Sequence, residues 1–336
     1  MYRSLRFSFN AYFLLLIIQS QSLLCAEGQL HHNFRRSESS HQVAAKTKPS
    51  PKIDPKPDTR KKCYVIMKGQ YGMGFFGEFM SALGALHIYE KGGVGNYRLT
   101  GVAIDYGTTG TYYDPTHGAN WWEYYFEPVN VGQSAGAQIV TTVNGGEIEH
   151  DLARRIEFGV PRKEAYQLIK KYIRLKPFIK EKISQYVKKS FGKGKVIGVH
   201  FRGTDKYHES PIAPFEEVAA HVDQAIVDFE KGHTKGIKIF VATDQQDFLD
   251  YMCERYPSKV IYYEESTRSM DGKPVHTSFL PNNYKKGEDA LLDCLLLSKC
   301  DILIKTSSNL SLCSAYFNPN IPMIHVTERP WRKPLE

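Results

Sequence analysis

The sequence predicts an α/β protein built from two doubly wound halves, and three observations carry that reading. Apolar runs of strand length alternate with helix-length amphipathic segments from residue 63 onward. Between residues 196 and 326 the alternation gives five strands joined by four crossovers, the pattern of a parallel sheet with helices on its faces. At 336 residues the chain is also longer than one domain of ordinary size.

The first 26 residues hold Arg3 and Arg6, an apolar run from Ala11 to Ile18, the polar patch Gln19-Ser20-Gln21-Ser22, and Leu23 to Ala26 before Glu27. That order reads as a secretory signal peptide cleaved near Ala26, leading to a periplasm, an exterior or an ER or Golgi-type lumen. A membrane anchor wants about 20 mainly apolar residues, so membrane contact is expected only if this segment stays uncleaved. Residues 27 to 62, with Pro49, Pro51, Pro55 and Pro57 among Lys, Ser and Thr, lack the apolar groups for a core and read as an extended tether.

Folding is expected to begin near Cys63. A strand at 63–67, the glycine-rich turn at 69–77, a helix over 78–91 and a strand at 102–106 make a βαβ unit. The aromatic, turn-rich stretch 107–129 reads as an ordered loop over a cleft, where Trp121, Trp122, Tyr124, Tyr125 and Phe126 either stack on sugar rings or pack in the core. From Pro161, amphipathic helices interrupted at Pro177 bridge the two expected domains, 63–190 and 191–336. In the second, strands at 196–202, 237–244, 259–264, 301–307 and 322–326 alternate with helices at 215–231, 246–256, 287–300 and 308–317.

The formal charge of +8 resides almost wholly in the tail: residues 1 to 62 hold 11 Lys/Arg against 4 Asp/Glu, and residues 63 to 336 hold 33 against 32. The folded part is close to neutral, which removes nucleic acid as an expected partner. Of six cysteines, Cys25 lies in the leader. Cys63, Cys253, Cys294, Cys300 and Cys313 show no CxxC or His/Cys spacing, so no metal site is expected. The odd count allows at most two disulfides, and Cys294, Cys300 and Cys313 fall in apolar patterns that suit small buried hydrophobes.

Two features compete for a phosphate. Gly72-Met73-Gly74-Phe75-Phe76-Gly77 matches G-x-G-x-x-G between a strand and a helix, with Asp105 at the end of the next strand, as in a dinucleotide site. Asp105, however, lies 28 residues past Gly77, where about 20 is usual, and no hydride-transfer acid is near. The second feature is three strand ends in the carboxyl-terminal half: HFRGTDK (200–206), Thr243-Asp244, and Thr306-Ser307-Ser308-Asn309. All three lie on one edge of the predicted sheet, where open α/β sheets bind ligands. Arg202 offers a fork of donors to a phosphate, Ser308 and Asn309 open a helix whose free N–H groups suit an anion, and Asp244 can accept from a base or ribose. Ordinary alternatives are that Arg202 pairs with Asp205 across a turn, and that Ser308 and Asp244 are helix caps.

HFRGTDK, ATDQQD and the block GEDALLDCLLLSKCDILIKTSSNLSLCSAYFNP resemble the three motifs of GDP-fucose-dependent fucosyltransferases of the α1,6 type, a group that includes the nodulation fucosyltransferases and is related to the protein O-fucosyltransferases. GFFGEFMSALGAL is similar to that group's glycine-rich turn and helix, which brings Gly74 into the binding set. The resemblance implies a GT-B fold, two Rossmann-like domains facing across a cleft, and inverting transfer of fucose from GDP-fucose to a glycan or glycoprotein hydroxyl, with no cofactor and no metal. Carried onto matching positions, Arg202 binds the β-phosphate, Asp244 and Asp293 help hold the nucleotide, and Ser308 with Asn309 contacts the diphosphate. His200, Asp205, Lys206 and Ser307 fall within the same matched motifs. Position 203 is Gly where the core α1,6 enzymes have a second arginine, and the segment after Lys206 is one residue shorter before Glu209.

The chemistry agrees with the residue types. Breaking a glycosyl–phosphate bond leaves negative charge on the departing diphosphate, so a metal-free site needs fixed cationic and N–H donors there, and Arg202 and the Ser308 helix start supply them. The acceptor hydroxyl needs a base; Glu209 is the first choice, with His208 and Asp105 as alternatives. Asp293, mid-helix in ALLDCLLL, must find a partner and is read as a ligand or network residue. A catalytically silent sugar- or nucleotide-binding protein and a dinucleotide oxidoreductase remain the competing readings.

Overall fold

The computed structural model describes residues 58–70, 72–108, 110–142, 148–151, 159–204, 211–275 and 282–327. The leader, residues 27–57 of the expected tether, Asp205, Lys206, His208 and Glu209 lie outside the described residues, while residues 58–62 of that tether are described and its last two, Lys61 and Lys62, already belong to the first strand. Asp58–Glu336 form one compact unit holding two sheets.

The first sheet is built from β1 (Lys61–Met67), β2 (Tyr97–Ile104), β3 (Asn130–Gly132) and β4 (Gln138–Thr141), in the order β3-β2-β1-β4. β1 pairs in parallel with β2 and with β4, as a βαβ unit requires, while β3 closes the edge antiparallel to β2. β3 and β4 are too short to register as apolar runs, so the sequence reading missed both. Helix α1 (Phe75–Glu90) crosses over between β1 and β2, and all but its last two residues are buried.

Helices α2 (Arg162–Tyr172) and α3 (Pro177–Tyr186) follow, the break falling before Pro177 at the first position of α3, where its missing N–H costs nothing. Residues 162–195 carry 12 Lys/Arg against 2 Asp/Glu, a local excess hidden by the neutral total. Part of it is spent on ties to acids elsewhere: Lys171 to Glu90, Lys176 to Glu127, Lys182 to Glu288 and Lys195 to Asp301, at 2.6–3.2 Å.

The second sheet contains β5 (Val196–Phe201), β6 (Lys238–Thr243), β7 (Val260–Ile261), β8 (Ile302–Lys305) and β9 (Met323–His325). All its pairings are parallel and its order is β7-β6-β5-β8-β9. Every residue of β5 is buried, as a central strand covered on both faces must be. The pleat sends Ile197, Val199, Phe201, Ile239 and Val241 into one apolar cluster under α4 (Phe215–Lys231) and α5 (Gln246–Arg255). Val196, Phe240, Ala242 and Leu303 point the other way, into a larger cluster that also takes in α6 (Asn283–Leu297), α7 (Asn309–Phe317) and the core of the first sheet. Arg162 ties α2 to the end of α7 by donating to the carbonyls of Ala315, Asn318 and Ile321 at 2.6–3.3 Å.

The α/β class and the two parallel-sheet halves are as expected. Trp121, Trp122, Tyr125 and Phe126 are at most 1 % exposed, so these four belong to the core and are closed to a sugar ring. The five described cysteines are all free thiols, four of them buried, so the disulfides that the count allowed do not form among them, and Cys294, Cys300 and Cys313 are buried as small hydrophobes.

Candidate functional site

Strand order locates the site before any side chain does. In β7-β6-β5-β8-β9 the crossovers run outward in one direction from β5 to β7 and in the other from β8 to β9, so β5 and β8 flank the topological switch point. The loops leaving their carboxyl ends diverge there and open a crevice. Arg202 follows β5 and Thr306 follows β8, and the two meet: Arg202 N donates to Thr306 Oγ1 at 2.9 Å, while Thr306 N donates to His200 O at 3.1 Å.

Asp244, at the end of β6, organises the Arg202 turn. Its carboxylate accepts from Gly203 N at 3.1 Å and from Thr204 Oγ1 at 2.6 Å, and it lies 3.0 Å from Arg202 Nη1. The Arg202 side chain is 21 % exposed and that of Asp244 10 %, so the pair is largely, but not wholly, withdrawn from solvent. Asp244 of the neighbouring strand end thus pairs with Arg202, while Asp205, the partner in the ordinary alternative, lies outside the described residues. Gly203 has a packing reason: a Cβ there would lie 2.0 Å from Gln245 Oε1 and 2.7 Å from Phe201 Cε1.

Ser307, Ser308 and Asn309 continue from Thr306 into α7. Ser308 is the N-cap, its Oγ accepting from Leu310 N at 3.2 Å, and Ser307 N donates to Thr327 Oγ1 at 3.3 Å. The cap function given as the ordinary alternative for Ser308 is thus real, and the positive end of α7 lies at the end of β8, beside the switch point.

Asp293 is reached through a loop. Its Oδ1 accepts from Ser266 Oγ at 3.1 Å, and Ser269 of the same loop exchanges backbone bonds with the β6 end, Ser269 N to Asp244 O at 2.8 Å and Gln246 N to Ser269 O at 3.1 Å. Asp289, one turn earlier on α6, accepts from Thr267 N and Oγ1 at 3.0 Å each and pairs with Lys285. Arg268 closes the loop on itself by donating to Ser266 O and Tyr263 O. Burial pushes the Asp293 carboxyl up to about 7, against the pull of the Arg268 charge.

The glycine-rich turn faces the same region but is already engaged. Gln70 N donates to Glu78 at 2.5 Å, Gly72 N to Thr111 Oγ1 at 2.8 Å and Phe75 N to the Tyr112 hydroxyl at 2.7 Å. Gly74 is the backbone N-cap of α1, so that helix begins three residues earlier than the sequence suggests. Asp105 pairs with Lys68 at 2.6 Å. A dinucleotide pyrophosphate would need those N–H groups, and a ribose that carboxylate; both are committed to protein partners.

Glu78 is buried, 1 % exposed, and burial pushes its carboxyl up to about 8. A carboxyl raised above its unfolded value stabilises the fold fully below about 4.5, and that contribution is lost as pH rises to about 8. Glu78→Gln keeps an acceptor for Gln70 N without the charge. Its melting temperature relative to the parent should therefore climb between pH 5 and pH 8 and converge on the parent near pH 4; a difference independent of pH contradicts the assignment.

Sequence reasoning held Thr204 and Thr306 only as members of the strand-end motifs and missed Ser266, Asp289 and Arg268, whose part depends on the 266–269 loop reaching the β6 end. Among the described residues, no group of three or more His, Cys, Asp or Glu is placed to hold a metal ion.

Residues 165–316 match the family profile for alpha-(1,6)-fucosyltransferase N- and catalytic domains. Among solved structures, the chain is similar to NodZ alpha-1,6-fucosyltransferase soaked with GDP-fucose, with 18 % identity over 79 % of this chain and 95 % of that one and a TM-score of 0.47. Fucosyltransferase NodZ from Bradyrhizobium gives 17 %, 79 %, 95 % and 0.44, and POFUT1 in complex with GDP gives 13 %, 80 %, 99 % and 0.41.

Proposed function

We propose that this chain, which carries an alpha-(1,6)-fucosyltransferase-type domain across residues 165–316, transfers fucose from GDP-fucose to a hydroxyl of a glycan or glycoprotein, with inversion and without a metal. The observation that carries the reading is the meeting of Arg202, Asp244, Thr306 and the α7 start at one switch point. That is where a nucleoside diphosphate finds a fixed cation, a helix N-terminus and, on the base side, a carboxylate. All three motifs behind the sequence resemblance lie within or beside this arrangement.

The mechanism follows from charge. As the bond from sugar C1 to the phosphate oxygen breaks, the electron pair leaves with the β-phosphate, and Arg202 with the N–H groups of α7 stabilises it. Asp244 keeps the guanidinium aimed, and Asp293 offers its carboxylate to the N–H edge of the base. The acceptor hydroxyl attacks from the opposite face and gives its proton to a base, for which Glu209 is assigned. Among the described residues no helix is long and apolar enough to cross a membrane, and the secretory location rests on the reading of residues 1–26.

Ligand-dependent melting tests the donor class. GDP at about 100 times its Kd should stabilise the full chain by about 2.7 kcal/mol, while NAD(P) at the same concentration leaves the melting temperature unchanged. A shift with NAD(P) and none with GDP reverses the reading in favour of an oxidoreductase.

A further inference from the structure

We infer that the folded unit docks on an anionic phospholipid surface through the amino-terminal end of its first sheet; the inference is independent of the donor reading above. The face is built from the starts of β1 and β2, the end of α1 and the exposed side of α2. Register sets Lys61 beside Tyr97 and Lys62 beside Arg98. α2 runs across the end of α1: Lys91 pairs with Glu164 at 3.0 Å and, two turns further along α2, Lys171 pairs with Glu90 at 2.7 Å. Between the two helices lies an open hollow of about 350 Å³, lined in part by Lys91, Lys163 and Lys171. The other end of the sheet is turned to the second half, since Asn283 at the start of α6 donates to Tyr113 O, in the loop after β2, at 2.9 Å. Docking by the amino ends therefore leaves the carboxyl ends of both sheets uncovered.

Residues 58–62, 90–98 and 163–171 hold 8 Lys/Arg against 3 Asp/Glu. Each of those acids is already paired: Asp58 with Arg60 and Arg98, Glu90 with Lys171, and Glu164 with Lys91. Lys61, Lys62, Lys163 and Lys170 are exposed, and none of the four makes an ion pair among the described residues. Like charges gathered at one end raise a positive potential that an anionic surface lowers. What stands among the lysines favours lipid over an acidic glycan. Tyr97, Tyr166 and Tyr172 are half-buried there, and the Lys170 ammonium lies over the Tyr166 ring at 5.6 Å. Tyrosines with an apolar body and a polar tip, flanked by lysines on long stems, suit the headgroup layer. The covalent path agrees, because residues 1–57 join this face at Asp58. They add 8 Lys/Arg against 3 Asp/Glu and the apolar run from Ala11 to Ile18. Basic residues beside an anionic bilayer act together, each adding to the attraction.

Sedimentation with vesicles measures the docking. The full chain should partition into phosphatidylcholine vesicles with about one lipid in three replaced by phosphatidylserine about tenfold more strongly than into phosphatidylcholine alone. The preference should vanish in about 1 M salt, where the screening length falls to about 3 Å. The triple variant Lys62→Glu, Lys163→Glu and Lys170→Glu should lose it with the melting temperature little changed. Lys193→Glu, Lys235→Glu and Lys299→Glu, the same change of charge on exposed lysines around the second sheet, should together retain it. Every chain compared keeps residues 1–57, so the difference reads the face and not the leader. A parent without the preference, a first triple variant that keeps it, or a second that loses it as fully overturns the inference and leaves the donor reading standing. Retention by a sulfated polysaccharide with no binding to the anionic vesicles assigns the face to an acidic glycan and overturns it too. If the first variant does not fold, Lys→Gln at the same three positions takes its place; a chain that folds with neither needs these lysines for its fold, which also overturns the inference.

Discussion

Arg202→Ala lowers fucose transfer by roughly 10²-fold or more, the scale expected for removing one charge donor from a developing anion. The substitution leaves the strand intact, because Arg202 contributes its backbone N–H to Thr306 whatever its side chain. It also leaves Asp244 with two hydrogen bonds, from Gly203 N and Thr204 Oγ1, so the carboxylate is not stranded. The loss should therefore appear in turnover and in GDP affinity, with the melting temperature little changed. Arg202→Lys should restore only part, since an ammonium provides a point charge without the fork that binds Asp244 and phosphate together. A folded Arg202→Ala variant with parental turnover removes Arg202 from the mechanism.

Asp244→Ala has the opposite balance. It deprives three donors of one acceptor: the Arg202 guanidinium, Gly203 N–H and the Thr204 hydroxyl. Removing one side of a largely buried ion pair costs about 3 kcal/mol, and the Arg202 turn loses the contact that shapes it. Both melting temperature and donor affinity should fall together. Asp244→Asn, which keeps an acceptor oxygen but not the charge, should recover stability more than transfer. Equal recovery of both would show that the carboxylate serves the turn and not the donor.

How much of this was legible in the sequence depends on the range of the interaction. VIGVHF announced a buried parallel strand because it shows no apolar–polar alternation, His200 being its single polar residue, and the structure buries all six residues. Asp244 and Ser308 were found because each stands at the end of such a run. Their partners were not: that Arg202 pairs with Asp244 depends on β5 lying beside β6, a fact of sheet order that local pattern does not contain. The start of α1 was misplaced because Gly74 caps it through the backbone alone, with no side-chain signature. The α6 start was likewise placed late, at 287, because Asn282 caps a polar first turn that carries no apolar periodicity. The burial of Glu78, which opens the expected helix, is a tertiary effect that local pattern does not contain; the Tyr106 hydroxyl donates to its backbone carbonyl.

The same distinction separates the donor half of the site from the acceptor half. Donor contacts come from backbone-defined strand ends, which the register fixes. Asp105, one alternative for the base, is held by Lys68 at 2.6 Å. Glu209, the first choice for the base on sequence grounds, and His208, the other alternative, lie outside the described residues.

The most direct test follows the label of GDP-fucose carrying radiolabelled fucose, incubated with the full chain and a glycan array in the presence of a chelator. The account predicts that fucose appears on an acceptor glycan with release of GDP, and that Arg202→Ala reduces this by roughly 10²-fold. Label that stays on the nucleotide with every acceptor, in a chain that binds GDP-fucose, contradicts transfer and leaves a silent binder on the same scaffold.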